Sequence, residues 1–165
     1  MSTEAKKLVI VSDTHGYDRL IDQVIERESP FDYLIHCGDA ETGLTAYEGE
    51  ELPYRLLAVR GNCDYAGGRP AVLVERILFY NVLVTHGHRE NVRYGNAELL
   101  AFGAANHADV VLYGHTHVPE IVEEDGILIV NPGSLAYPKG PQRVPTYAVL
   151  TLTQDYDREA VLKIL

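Results

Sequence analysis

The chain predicts an α/β fold of two β-sheets packed as a sandwich, with helices flanking it and with parallel and antiparallel pairing mixed. Three observations carry this. Short β-branched runs at residues 8–12, 33–37, 56–60, 82–85 and Val110–Leu112 are apolar on both faces, the pattern of strands buried inside a sheet with a layer on either side. The first two are joined by one amphipathic helical stretch, which argues for a right-handed parallel crossover. From Gly67-Gly68-Arg69-Pro70 onward the character shifts to strand-like pieces with little helix between them, which calls for antiparallel neighbours. At 165 residues the chain fits one domain, 1–165, large enough for a core without disulfides. No repeat, low-complexity tract or linker divides it.

In chain order, residues 17–28 read as a helix, with Leu20, Ile21, Val24 and Ile25 forming one stripe. Asp18 is a plausible cap, and Ser29-Pro30 ends the helix. Residues 40–53 are acidic and weakly patterned, a short helix or a surface loop over the site. Residues 72–77 and 78–85 lie too close for an intervening helix and read as an antiparallel pair. Residues 96–106 are Ala/Leu-rich and helical. The tail then reads as strands at 119–122, 127–130, 146–152 and 159–164. Glu123-Glu124-Asp125-Gly126 closes the first two of these as a hairpin.

Each of the five buried runs ends in a glycine within a few residues and in a side chain able to bind a metal. They deliver Asp13 and His15, Asp39, Asn62, His86, and the pair His115 and His117 of Gly114-His115-Thr116-His117. In open α/β sheets the ligand crevice lies beyond the carboxyl ends of the strands. One His-x-His alone would more often be a cap and a solvated ring; five coincidences are harder to dismiss. Two carboxylates, an amide oxygen and four imidazoles suit divalent Mn, Fe, Co, Ni or Zn. The lack of a thiolate quartet argues against structural zinc. Seven donors are too many for one tetrahedral ion but divide between two if one carboxylate bridges, and paired ions serve in-line phosphoryl displacement.

Asp13-x-His15, Gly38-Asp39, Gly61-Asn62, His86 and Gly114-His115-x-His117 together resemble the calcineurin-like metallophosphoesterases. Ser12-Asp13-Thr14-His15-Gly16, Gly61-Asn62-Cys63-Asp64, Asn131-Pro132-Gly133-Ser134 and the compact length are most similar to the small YfcE-type phosphodiesterases. The resemblance spans residues 8 to about 135. It implies one ion on Asp13, His15, Asp39 and His117, and a second on Asp39, Asn62, His86 and His115, with Asp39 as bridge. It also implies stimulation by Mn and hydrolysis of small phosphodiesters, by in-line attack of a hydroxide shared by the ions, with the phosphate docked on the metals, Asn62 and His86. Larger members carry His after the Gly-Asn pair as a leaving-group acid. Here that position is Cys63, a weak hydrogen-bonding group. Asp64 either orients a ligand His or caps the following turn.

Other polar residues carry plainer readings. His36 and Cys37 read as packing residues, and His107 as serving a helix C-terminus. His88 either touches a substrate phosphate or is a solvated loop residue. Arg60 and Arg89 could pair with phosphate oxygens. Asn131-Pro132-Gly133-Ser134 is first a tight turn, and by the resemblance Ser134 lines the site. The formal charge of −10 disfavours nucleic-acid polymers and anionic membranes, and the scattered tyrosines suggest no stacking platform for nucleic acid. Two cysteines without a disulfide framework, no secretory signal and no membrane span point to a soluble cytoplasmic protein. Oligomeric state is undetermined. Two competing functions remain: a non-catalytic scaffold similar to the retromer subunit of this fold, and a phosphomonoesterase or pyrophosphatase using the same metals.

Overall fold

A computed structural model describes residues 2–65 and 68–165. The strands and helices are β1 (Ala5–Val11), α1 (Asp18–Glu28), β2 (Tyr33–His36), β3 (Arg55–Ala58), β4 (Val72–Ile77), β5 (Tyr80–Thr85), α2 (Ala97–Ala105), β6 (Val110–Leu112), β7 (Glu120–Glu124), β8 (Ile127–Asn131), β9 (Thr146–Thr153) and β10 (Arg158–Ile164). They form two five-stranded sheets, ordered β10-β9-β1-β2-β3 and β4-β5-β6-β8-β7. In the first, β1, β2 and β3 are parallel, and β9 and β10 extend the sheet antiparallel. In the second, β5, β6 and β8 are parallel, with β4 and β7 as antiparallel edges. The expected mixed two-sheet sandwich is therefore present.

The two-faced apolar runs have a direct cause. Side chains alternate along a strand, so Leu8 and Ile10 enter the layer between the sheets, with Ile35, Leu57, Val82, Val84, Val110 and Leu112. Val9 and Val11 turn outward under α1, against Ile21 and Val24. Leu83, Val111 and Ile129 do the same under α2, against Leu99. Each such burial is worth about 1.5–3 kcal/mol. A one-residue slip would exchange the two faces; Leu8 pairs with Tyr33 and with Leu150, and this register holds the whole stripe in place.

One local expectation needs correction. Asp18 does not cap α1: Tyr17 occupies the capping position without a side-chain bond, and Asp18 instead accepts a hydrogen bond from the Thr42 hydroxyl. The segment 40–53, expected as a short helix or a surface loop, is mostly loop, and its Glu41 reaches His15 at the site. It makes one 3₁₀ turn, Thr45–Tyr47, and folds onto α1, burying Leu44 and Tyr47 while the Tyr47 hydroxyl donates to Asp22. The hairpin turn at Asp125-Gly126 is as expected, both residues having positive φ. Of the loop at 65–69, residues 66 and 67 lie outside the described part, and so does Gly67 of the expected boundary.

Candidate metal centre

Six parallel strands, three from each sheet, send their carboxyl-terminal ends to one rim. The chain leaves β1, β2 and β6 through residues in the left-handed region: Asp13 (φ 53°), His15 (45°), Asp39 (57°), His115 (69°) and His117 (61°). Non-glycine residues rarely sit there, at a cost of order 1–3 kcal/mol each. Five of the seven expected donors carry this strain. Glycines let the loops close on one another: a Cβ on Gly61 would overlap the Asp39 carboxylate, and one on Gly114 would overlap the Ser12 hydroxyl.

The imidazoles are oriented from behind. His86 Nδ1 lies 2.7 Å from the Cys37 carbonyl oxygen, His117 Nδ1 2.8 Å from the Tyr137 carbonyl oxygen, and His15 Nδ1 2.6 Å from the Glu41 carboxylate. Those oxygens accept, so in each ring Nδ1 carries the proton and Nε2 presents its lone pair inward. The three Nε2 atoms surround Asp13 Oδ1 at 3.0 Å (His117), 3.8 Å (His15) and 3.8 Å (His86). Asp13 Oδ1 is buried and has no hydrogen-bond partner. Its sister Oδ2 accepts from the Ser12 hydroxyl (2.5 Å) and from the His115 N–H (3.0 Å). Inward lone pairs around an orphaned anionic oxygen suit a cation, because buried charges otherwise find a partner.

Among the described residues three sets have ligand-type atoms within 4.8 Å of one another: Asp13–His15–His117 and Asp39–His86–His115, made of expected donors, and His15–Glu41–Cys63 beside them. Asn62 joins the second, its Oδ1 3.1 Å from His86 Nε2, and Asp39 Oδ2 is 3.2 Å from the same nitrogen. Burial acts to raise the Asp13 carboxyl, but the close His117 and His86 imidazoles and the Ser12 hydroxyl prevail and hold it below its ordinary value. Burial opposes ionisation of Asp39 too; the His86 hydrogen bond and charge, the Cys63 N–H and the His15 charge together pull it well below the carboxylate range. His86 is disfavoured as a cation by burial, yet Asp39 and Asp13 raise its pKa. His115 falls to about 4, through burial and then the charges of His86 and Arg93.

Around these donors the remaining expected residues take definite places. Asp64 ties the loops: its carboxylate accepts from the backbone N–H groups of Asp39 (2.9 Å), Glu41 (2.8 Å) and Gly61 (2.7 Å). Cys63 is half-buried, and its N–H donates to Asp39 Oδ1 at 2.8 Å. Its thiol is pushed up to about 11, by burial and then by Asp39. Ser134 is fully buried, its hydroxyl donating to the Asp13 carbonyl (2.8 Å) and accepting from Tyr137 N–H. Asn131, the last residue of β8, donates to the Gly114 carbonyl and the Thr116 hydroxyl and so braces the His-x-His loop. His88 packs its ring 5.4 Å from His86 and 6.0 Å from His115. Arg60 and Arg89 are exposed. His36 and Cys37 are buried, and His36 bonds to the Thr14 hydroxyl and the Gly38 N–H.

Three contributors have no counterpart in the sequence reading: Glu41 behind His15, the Tyr137 carbonyl behind His117, and Arg93, whose Nε–H donates to His115 Nε2 at 3.0 Å. Glu41 and Tyr137 reach the rim from loops and Arg93 from the 3₁₀ turn Val92–Tyr94, where only a fold reveals the approach.

The sequence profile of the calcineurin-like phosphoesterase superfamily domain matches residues 7–155. The chain belongs to the calcineurin-like phosphoesterase superfamily. Its relatives include the "Probable metallophosphoesterase YsnB" of Bacillus subtilis, 36% identical over 155 residues, covering 90% of this chain and 85% of that protein. The phosphodiesterase YfcE of Escherichia coli K12 is 30% identical over 161 residues, covering 81% and 82%. Among solved structures, a Streptococcus pneumoniae protein described as a predicted phosphoesterase superposes with a TM-score of 0.77 at 26% identity, covering 98% of this chain and 100% of that one. Vacuolar Protein Sorting 29 of Cryptosporidium parvum shares the fold, with a TM-score of 0.74 at 15% identity and 98% coverage of both chains. The chain is thus an enzyme of the metal-dependent phosphoesterase class, and membership implies divalent metal ions. No helix among the described residues is long and apolar enough to cross a membrane.

Proposed function

We propose that this phosphoesterase is a dinuclear phosphodiesterase acting on small phosphodiesters, with residues 1–165 working as one domain. Asp13, His15, Asp39 and His117 would hold one cation. Asp39, Asn62, His86 and His115 would hold the other, with Asp39 shared. The observation that carries this is the convergence of three inward Nε2 lone pairs on Asp13 Oδ1, a buried oxygen without a partner. Asp39 feels histidines of both sets, His86 most and His15 after it, which supports it as the shared ligand. Mn is the metal we expect to activate best, with Fe, Co, Ni and Zn chemically admissible.

Such a pair, when bound, lowers the pKa of a shared water and neutralises charge building on phosphorus. The chain's own part is positional. Glu41, the Tyr137 carbonyl and the Cys37 carbonyl lock the ring tautomers. Asp64 clamps the loops carrying Asp39 and Asn62. Asn62 and His86 face the phosphate, and His88 and Arg60 stand outside them as its further contacts. Ser134, occupied by Asp13 and Tyr137, we assign to bracing rather than to substrate. The reaction is in-line displacement without a covalent enzyme intermediate. The two free cysteines suit the reducing cytoplasm, to which we assign the protein.

Purified protein, chelated and then resupplied with each divalent metal, should hydrolyse bis(p-nitrophenyl) phosphate faster than p-nitrophenyl phosphate. A preference for the monoester or for pyrophosphate would reassign the substrate class. Metal binding without turnover of any ester would favour the scaffold reading, which a complete set of seven donors does not require.

A further inference from the structure

Tyr17 and Tyr137 stand beside the donors with their rings uncommitted to the core. Tyr17 is 53% exposed and Tyr137 50%, although they come from opposite ends of the chain to meet. Their ring centroids are 5.9 Å apart at 80°, an edge-to-face pair, and the hydroxyls approach to 3.4 Å. The Tyr137 ring also meets the His15 ring at 5.3 Å and 62°. Its backbone carbonyl holds His117, and the Tyr17 N–H is tied to the Thr14 carbonyl at 2.9 Å. Both rings are therefore fixed to the same two loops as the donors. Next to Tyr17, the side of Gly16 is open, with no atom beyond its two chain neighbours within 4 Å of where a Cβ would stand. Tyr65, Tyr94 and Tyr156 are also exposed, but among the described residues it is the Tyr137 ring, paired with Tyr17, that packs on a donor imidazole.

We propose that Tyr17 and Tyr137 form an aromatic wall selecting phosphate esters with a planar aromatic substituent over those with a small alkyl one; this rests on the phosphodiesterase reading above. A phosphate held by a cation on Asp13, His15 and His117 would direct a substituent on this side past the Tyr137 ring, within roughly the 5–7 Å over which aromatic rings attract one another. The wall is uncharged, so it rewards a neutral ring. The net charge of −10 meanwhile works against a long polyanion. The ring could be an aryl group next to phosphorus or a nucleobase beyond a sugar, and matched ligand pairs separate these.

The test is calorimetric binding to the Mn-loaded full chain of two pairs: phenylphosphonate against methylphosphonate, and adenosine 5′-phosphate against ribose 5-phosphate. The aromatic member of at least one pair should bind about tenfold tighter, the scale of one good aromatic contact; which pair responds identifies the source of the ring. The ratio should fall toward one in the Tyr17→Ala/Tyr137→Ala double variant, and also drop in Tyr17→Ala alone. It should persist in Tyr17→Phe/Tyr137→Phe, which keeps both rings and so separates stacking from a folding defect. Equal affinities within both pairs, or a preference surviving loss of both rings, would overturn the wall while leaving diester hydrolysis intact. The parent reading fails differently: no diester would be hydrolysed with any metal, and phosphonate binding would not change on chelation. In that case the wall loses its substrate as well.

Discussion

Two buried acids at opposite ends of β1 show how differently this fold treats negative charge. Glu28 sits near the amino-terminal end of β1, where every oxygen is satisfied. Its Oε1 accepts from the Tyr147 hydroxyl (2.7 Å) and Lys163 Nζ (2.8 Å), Lys7 Nζ is 3.0 Å from Oε2, and Lys7 also donates to the Glu28 carbonyl. Asp13, at the other end, is more deeply buried, yet one oxygen has no partner and faces three imidazoles. Burial acts to raise both carboxyls, and neighbours then pull both below their ordinary values. Only Glu28 is closed by protein atoms. A satisfied buried acid is structural; an unsatisfied one, held in a strained loop, is arranged for something that comes and goes.

The comparison is broken most directly at the Asp13 end. Asp39→Ala or His117→Ala should lower metal-dependent hydrolysis by more than about 100-fold, since even supporting residues of metal sites cost 10–100-fold. Asp13→Asn should remove the metal's effect on stability. In wild type, Mn at a hundred times its dissociation constant adds about 2.7 kcal/mol, a rise of roughly 5–10 °C in Tm for a chain of this length. Differential scanning calorimetry with and without chelator reads this. Full activity in either alanine variant, or an undiminished Mn shift in Asp13→Asn, would refute the contrast.

At the Glu28 end the expected effect is on folding. Glu28→Ala leaves the buried Tyr147 hydroxyl and the partly exposed Lys7 and Lys163 without their acceptor and should cost about 1–3 kcal/mol, the usual penalty for a buried hydrogen-bonding group left unsatisfied. Turnover per folded molecule should not change. The acid dependence has a definite sign. The Glu28 carboxyl lies at about 2 in the fold against an ordinary 4.5, so its contribution is complete above pH 4.5 and fades as pH falls toward 2. Urea midpoints should therefore fall across that window in wild type and fall less in Glu28→Gln.

How much of this was legible follows from what each residue does. The strands could be read because Leu8 to Val11, and the corresponding residues of β2, β5 and β6, are apolar on both faces for a simple packing reason. Asp13, His15, Asp39, Asn62, His86, His115 and His117 could be marked because polar, ligand-type residues beside glycine are costly at the end of a buried strand. The left-handed φ of five of them could not be read, because only tertiary contacts compel it. Glu41 and Arg93 looked like ordinary surface charges. Tyr137 acts on His117 through its carbonyl, an atom no residue type advertises. Ser134 was visible as part of a turn, but its bond to the Asp13 carbonyl depends on how the loop after β8 meets the end of β1 in the other sheet.

The smallest expected effect concerns the leaving group. A positioned general acid contributes typically 10²–10⁴-fold. Cys63 is at the right place in sequence, but its thiol is pushed up to about 11, and a thiol is a weak hydrogen-bond donor. Cys63→Ala should therefore reduce hydrolysis of a p-nitrophenyl diester by less than about tenfold. Across substituted phenyl diesters the wild-type rate should fall steeply as the departing phenol becomes less acidic, because little proton donation offsets its charge. Cys63→His, which installs a stronger donor, should flatten that slope. A flat slope in wild type would reveal another acid at the rim, with His88 the first to test. A loss of 100-fold or more in Cys63→Ala would make the thiol itself that acid.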